Sequence, residues 1–126
     1  EKLELTQDKI LLKGHSIECR INAEHPDTFI PSPGKVDQYH QPGGLGVRVD
    51  SALYQGYSVP PHYDSMISKL ITYGDSRKDC IAKMKRALEE YVIIGIDTNI
   101  QLHQKIIQSE EFLLGSYDIN YMAKFE

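Results

Sequence analysis

A short run of alternating residues near the N-terminus carries the side chains best suited to chemistry. Its polar members are Glu18, Arg20, Asn22 and Glu24, and an apolar residue stands between each pair. Strict alternation over this length predicts a half-buried strand, which places the four polar side chains on one face. Arginine on such a face suits an anionic ligand, because its guanidinium stays charged and presents donors in a fixed fork. The pattern alone favours the ordinary alternative, a solvated sheet face with an ion pair that adds little stability.

Three other groups of residues could do chemistry, and the sequence favours a structural interpretation of each. The glycine-rich run 42–46 lacks the spacing of a dinucleotide fingerprint and no Gly-Lys-Ser/Thr follows it, so a turn with positive φ is the better interpretation. Neither Ser65 nor Cys19 lies in a nucleophile-elbow motif. Five histidines lack the spacing of metal ligands, so no metal site is predicted; they are His15, His25, His40, His62 and His103.

Length and composition limit the class of protein. The chain has 126 residues, of which 40% are hydrophobic and 25% charged, and its formal net charge is −4. This size predicts one domain, over residues 1–126, and the net charge argues against general nucleic-acid binding. No apolar run is long enough to span a membrane. Cys19 and Cys80 show neither disulfide nor metal spacing, which favours a cytoplasmic setting. Because the sequence opens without methionine, we expect a fragment of a longer protein.

The elements that must hold the polar row are predicted from periodicity. Strands are expected over residues 15–24, 35–40, 46–51 and 66–73, and a short one over 92–95. The Pro-Gly-Gly turn between the second and third of these predicts a β-hairpin.

A helical period follows residue 75. Ser76 is predicted to cap the first helix, and Thr98 to open a capping box for the second. Thr6 is a candidate cap for one helical turn, and a last short helix is expected near residues 119–125. Strands followed by helices predict an α+β domain with a small antiparallel β-sheet.

Five runs of residues, taken together, resemble the C-terminal domain of bacterial biotin carboxylase. The runs lie at residues 14–24, 31–35, 42–48, 60–67 and 95–99. Each run alone is a weak signal, but their order and spacing match the family over nearly the whole chain. The resemblance implies a small antiparallel sheet with helices, described as a barrel-sandwich or rudiment hybrid motif, in agreement with the α+β prediction.

The resemblance also implies an activity for the parent protein. Biotin carboxylase is an ATP-dependent ligase in which ATP and bicarbonate give carboxyphosphate, whose carboxyl group passes to N1 of carrier-bound biotin. ATP, Mg²⁺ and bicarbonate are then expected to bind mainly to an ATP-grasp part that this sequence lacks, so the isolated chain is expected to be inactive. The expected parent is acetyl-CoA carboxylase of fatty acid biosynthesis, with pyruvate and propionyl-CoA types left open.

Partners follow from the same resemblance. They are a biotin carboxyl carrier protein, a carboxyltransferase component and a second copy in a homodimer. The alternative hypothesis is a non-catalytic module for dimerisation and carrier docking, which shares the fold and differs in what Arg20 does.

Five residues acquire implied roles from the family motifs. Arg20 corresponds to the arginine that reaches biotin, where a guanidinium can stabilise negative charge on the ureido oxygen. Asp64 matches an aspartate near that arginine and is expected to orient it. Ile119 matches an apolar residue of the adenine pocket. Leu45 and Arg48 match homodimer-interface positions, although relatives often carry an aromatic residue where Leu45 stands, and Arg48 is equally compatible with an ordinary hairpin charge.

Overall fold

The chain forms seven short strands and three α-helices over residues 4–125, the part that this computed structural model describes. The strands are β1 (His15–Asn22), β2 (Gly34–Lys35), β3 (Gln38–His40), β4 (Val47–Ser51), β5 (Ser58–Val59), β6 (Met66–Gly74) and β7 (Val92–Ile94). The helices are α1 (Arg77–Glu90), α2 (Ile100–Gln108) and α3 (Glu110–Leu114), with 3₁₀ turns at Gln7–Lys9 and Tyr121–Lys124. The predicted α+β class is confirmed. None of the helices in the described range is long and apolar enough to cross a membrane.

The strands pair as three antiparallel ladders. The largest is a three-stranded sheet in the order β1-β6-β4, while β2 pairs with β5 and β3 pairs with β7. In the large sheet Arg20 lies opposite Lys69, which in turn lies opposite Asp50. Residues paired in this way project to the same face, so this row of charges lies on one face of the sheet.

The predicted hairpin between residues 35–40 and 46–51 is wrong. The two strands form, but β3 pairs with β7, and β4 joins the edge of β6. The intervening turn does use positive φ, at Gly44 (105°) and Gly46 (75°). Gly46 also lies where an added Cβ would come within 2.5 Å of the Tyr73 carbonyl oxygen, so the turn packs directly against β6. In this position Val49 lies opposite Leu70, on the face that meets the core.

Helix α1 covers the inner face of the large sheet. It begins at the predicted cap, where the Ser76 hydroxyl accepts the backbone N–H of Asp79 at 3.1 Å. Its buried residues, among them Met84 and Leu88, pack against residues of β1 and β6. The main core cluster consists of Cys19, Ile21, Leu70, Met84, Ala87, Leu88, Tyr91, Ile100 and Ile107.

The C-terminal helices differ from the prediction at their starts. Thr98 does not cap α2; the helix begins after Asn99, whose side chain makes no cap hydrogen bond because it is bonded to β1. Thr6 likewise makes no side-chain cap hydrogen bond to the 3₁₀ turn that follows it. Helix α3 was not predicted, although Ser109 caps it and Gly115, at φ 73°, ends it. The second 3₁₀ turn lies within the predicted last helix.

Candidate functional site

The outer face of the large sheet carries Glu18 and Arg20 of the polar row that the alternation predicts, whereas Glu24 lies beyond the end of β1, in an isolated bridge with Pro31. Along β1, Cys19 and Ile21 are buried, whereas Glu18 and Arg20 are exposed and Asn22 is half-buried. The alternation arises because α1 packs against one face only, so the polar side chains face away from it. Arg20 is therefore mounted on a strand whose other face is fixed by the core.

The guanidinium of Arg20 is only weakly held. Its Nε donates to the Met66 sulfur at 3.2 Å, and a thioether sulfur is a weak acceptor. Neither terminal nitrogen of Arg20 donates to any other residue between 4 and 125. This geometry gives one side of the guanidinium a weak contact and leaves two nitrogens available to an anionic oxygen.

Asp64 reaches Arg20 indirectly. Its Oδ1 accepts the backbone N–H of Met66 at 2.7 Å, which shapes the turn into β6. Within residues 4–125, the Asp64 carboxylate and the Arg20 guanidinium form neither a hydrogen bond nor an ion pair. The two side chains are linked through Met66: Asp64 accepts its backbone N–H, and Arg20 contacts its sulfur.

The backbone of Arg20 is held by two side chains from the start of α2. The Arg20 carbonyl accepts Nδ2 of Asn99 at 3.1 Å and Nε2 of His103 at 2.9 Å. Asn99 also brackets Asn22, because its Oδ1 accepts the Asn22 N–H at 2.8 Å and its own N–H donates to the Asn22 carbonyl at 3.2 Å. Asn99, immediately before α2, and His103, within it, thus supply hydrogen bonds along the edge of β1 that no strand of the described chain covers.

These two residues were missed by sequence reasoning. Asn99 stands in a motif that predicts a helix cap, and His103 stands on an apolar helix face. Their spacing of four residues puts both on one side of α2, and that was the available signal. Their target, however, lies about eighty residues earlier in the chain, beyond the reach of a local pattern.

His103 is expected to act as a neutral donor. Burial lowers the pKa of His103 below its ordinary value, and the hydrogen bond to the Arg20 carbonyl opposes that change in part. A carbonyl oxygen only accepts, so the proton of the neutral ring lies on Nε2. The histidine can thus hold the strand without adding charge beside the guanidinium.

Arg48 lies on the same sheet face as Arg20, two strands away. Arg48, Ile71 and Glu18 form one row across the sheet. The Arg48 Nε donates to Asp50 at 2.9 Å, and this bond lowers the pKa of the Asp50 carboxyl. Leu45, in the turn before β4, is 94% exposed. The structure therefore leaves both predicted interface residues at the surface of the chain.

Ile119 lies apart from the sheet. It is 97% exposed, in the segment between α3 and the last 3₁₀ turn. A surface cavity nearby is lined by Tyr117, Tyr121 and Lys124, among others, and Ile119 is not one of its lining residues. Between residues 4 and 125, no three His, Cys, Asp or Glu side chains lie close enough to hold a metal ion.

Comparison with known proteins identifies the family. The sequence matches the family described as "Biotin carboxylase C-terminal domain" over residues 18–124. The chain belongs to that family.

Three relatives show how close the similarity is. The chain is 60% identical to the biotin carboxylase of Haemophilus influenzae, over 94% of this chain and 26% of that protein. It is 50% identical to a pyruvate carboxylase subunit of Methanothermobacter thermautotrophicus, over 99% of this chain and 26% of that protein. The solved biotin carboxylase of Campylobacter jejuni, described as a beta-gamma-ATP complex, superimposes with a TM-score of 0.92 at 48% identity, over 98% of this chain and 28% of that one. The chain therefore spans about a quarter of the length of these relatives.

Proposed function

We propose that residues 1–126 are the C-terminal domain of a biotin carboxylase, an ATP-dependent ligase that carboxylates biotin on a carrier protein. The family and the named relatives support this class of enzyme. The observation that carries the proposal is Arg20, an exposed guanidinium on a fixed strand whose terminal nitrogens have no partner among residues 4–125. ATP, Mg²⁺ and bicarbonate are bound mainly by the rest of the enzyme, and the solved relative described as a beta-gamma-ATP complex supports the nucleotide assignment.

Arg20 acts on biotin in this proposal. ATP and bicarbonate give carboxyphosphate and ADP; N1 of the ureido ring, after losing its proton to a general base in the rest of the enzyme, attacks the carboxyl carbon, and phosphate leaves. Loss of that proton places negative charge on the ureido oxygen. A preorganised donor at this oxygen stabilises the developing charge, and the two free nitrogens of Arg20 suit that task.

Asp64 is a positioning residue in the same proposal. Its carboxylate fixes the backbone at Met66, and the Met66 sulfur holds Nε of Arg20. Asp64 thereby influences where the guanidinium lies without contacting it. Ile119, exposed in the C-terminal segment, is the proposed contact to the adenine ring.

The proposed parent is a cytoplasmic acetyl-CoA carboxylase that serves fatty acid biosynthesis. It works with a biotin carboxyl carrier protein and a carboxyltransferase, as a homodimer with Leu45 and Arg48 at the interface. A pyruvate carboxylase is the second candidate parent, because one relative at 50% identity is named as part of a pyruvate carboxylase. Transfer from carboxylated carrier to acetyl-CoA or to pyruvate by the cognate carboxyltransferase distinguishes the two.

The Arg20→Ala variant of the intact carboxylase tests the function. Biotin carboxylation and biotin-independent ATP cleavage are measured side by side. Losing one oxyanion donor is expected to slow carboxylation by about 10²–10³ while ATP cleavage persists. Lys105→Ala is the control, because it removes an exposed cation that is paired with Asp27 on the surface. If Arg20→Ala leaves both rates unchanged, the sheet face is solvated surface and the chain is a dimerisation and docking module.

A further inference from the structure

The hydrogen bonds between α2 and β1 assign a role to two residues outside the polar row. We propose that Asn99 and His103 are positioning residues that set the location of the Arg20 guanidinium, an inference that rests on the proposed function of Arg20. They do so through the Arg20 carbonyl, which accepts one hydrogen bond from each side chain. Neither residue contacts biotin in this scheme.

The position of β1 in the sheet explains why its backbone needs these hydrogen bonds. β1 pairs with β6 on one side only, so its outer edge has no neighbouring strand in the described chain. Its register with β6 also shifts between Ile21 and Asn22, one residue after Arg20. An edge strand beside such an irregularity can change its backbone path at low cost, unless other groups bond to its free edge.

Asn99 and His103 supply those bonds from a fixed point. Asn99 is 6% exposed, and its neighbour Ile100 belongs to the main core cluster, so the start of α2 is anchored by packing. Together the two residues make four hydrogen bonds to the backbone of Arg20 and Asn22. Both bonds to the Arg20 carbonyl come from side chains, so each can be removed by one substitution.

The strand path matters because little else fixes the arginine. The Arg20 side chain is exposed, and its one hydrogen bond within residues 4–125 goes to a weak sulfur acceptor. The position of the guanidinium is therefore set mainly by the position of the Arg20 backbone in β1. A displacement of about 1 Å at a reacting group can cost roughly a hundredfold in rate.

The test uses atom-level variants of the intact carboxylase. His103→Leu removes one donor, and His103→Gln replaces it with an amide N–H. Asn99→Asp keeps the acceptor for the Asn22 N–H and removes the donor to the Arg20 carbonyl. Gln104→Leu is the matched control, because it removes a side-chain bond from α2 to the Leu88 carbonyl, of 3.1 Å, that does not involve β1.

We expect His103→Leu and Asn99→Asp to lower kcat for biotin carboxylation by roughly ten- to a hundredfold. Biotin-independent ATP cleavage and the KM for ATP are expected to stay unchanged. His103→Gln is expected to recover most of the lost kcat, and Gln104→Leu to keep the wild-type value. If Asn99→Asp does not fold, the His103 series carries the test alone.

Two results would overturn the inference and leave the proposed function intact. One is wild-type carboxylation in the His103→Leu and Asn99→Asp variants while Arg20→Ala is defective. The other is a proportional loss of carboxylation and ATP cleavage in His103→Leu, with no recovery in His103→Gln, which indicates a purely structural role. If Arg20→Ala itself carboxylates biotin normally, the function proposed for Arg20 fails and this inference fails with it.

Discussion

The two faces of the β1-β6-β4 sheet have opposite properties. The inner face carries Cys19, Leu70 and Val49 in one row and is covered by α1. The next row on the outer face carries Arg20, Lys69 and Asp50 and is open. Residues adjacent in sequence therefore serve different purposes. Those on the inner face stabilise the fold through burial, and those on the outer face present charged groups to solvent.

A second contrast lies within the outer face, between its two arginines. Arg48 donates to a carboxylate at 2.9 Å, so its charge is balanced locally. Arg20 donates to a sulfur at 3.2 Å and retains its charge for another partner. The same residue type on the same sheet is paired in one position and available in the other, which is why Arg20 is the better candidate for chemistry.

Neighbouring substitutions on the two faces are expected to differ most in stability. Leu70 is fully buried, and Leu70→Ala is expected to lower the free energy of unfolding by about 2–5 kcal/mol through lost burial and a cavity. Lys69→Ala, one residue away on the outer face, is expected to change it by less than about 0.5 kcal/mol. Urea unfolding of both variants measures the difference. Equal losses would contradict the division of roles between the faces.

Removal of the sulfur contact is expected to affect Arg20 without affecting the core. Met66→Leu keeps the apolar volume and loses the acceptor for Nε. A weak hydrogen bond contributes about 0.5–1 kcal/mol, so biotin carboxylation by the intact enzyme is expected to fall roughly two- to fivefold. Met122→Leu, the same substitution at an exposed position in the last 3₁₀ turn, is the control. Equal rates in the two variants would show that the sulfur does not hold the guanidinium.

Features that depend on neighbours in sequence were predictable. The alternation around Arg20 identified β1 and its exposed face, and Ser76 identified the start of α1. Both depend on contacts within a few residues or on a simple period, so the local pattern contains the information.

Features that depend on contacts between residues distant in sequence were not predictable. Val47 and Val49 fit any apolar sheet edge, and the adjacent turn favoured β3 as a partner, yet β4 pairs with β6. Asn99 has the composition of a helix cap, but its side chain bonds to a strand 77 residues earlier. Each of these outcomes is decided by tertiary packing, which outweighs local propensity.

The half-buried histidine behind Arg20 is expected to make stability depend on pH. The pKa of His103 is lowered from its ordinary value of 6.5 in the folded chain, so the unfolded chain binds the proton more readily. The contribution of neutral His103 to the free energy of unfolding is fully present above that ordinary pKa. It is lost as pH falls from that value toward the lower pKa of the folded state. Urea unfolding at pH 7.5 and 5.5 measures the loss, which His103→Gln is expected to reduce. An identical pH dependence in both proteins would contradict a neutral His103 with a lowered pKa.

The smallest effect is expected at the paired arginine. Asp50→Asn removes the partner of Arg48 on an exposed surface, where solvent screens the charges, so only a slight change in Tm is expected at neutral pH. The bond to Arg48 lowers the pKa of Asp50, so its small contribution is present above the ordinary carboxyl range and is lost as pH falls through the lowered value. Thermal unfolding of wild type and Asp50→Asn should therefore converge in acid.

The variant also leaves two unpaired arginines on one sheet face, and unchanged biotin carboxylation is expected because Arg20 already lacks a carboxylate partner within residues 4–125. A marked loss of carboxylation in Asp50→Asn would show that the two arginines are coupled through the Lys69 row, and the contrast between them would fail.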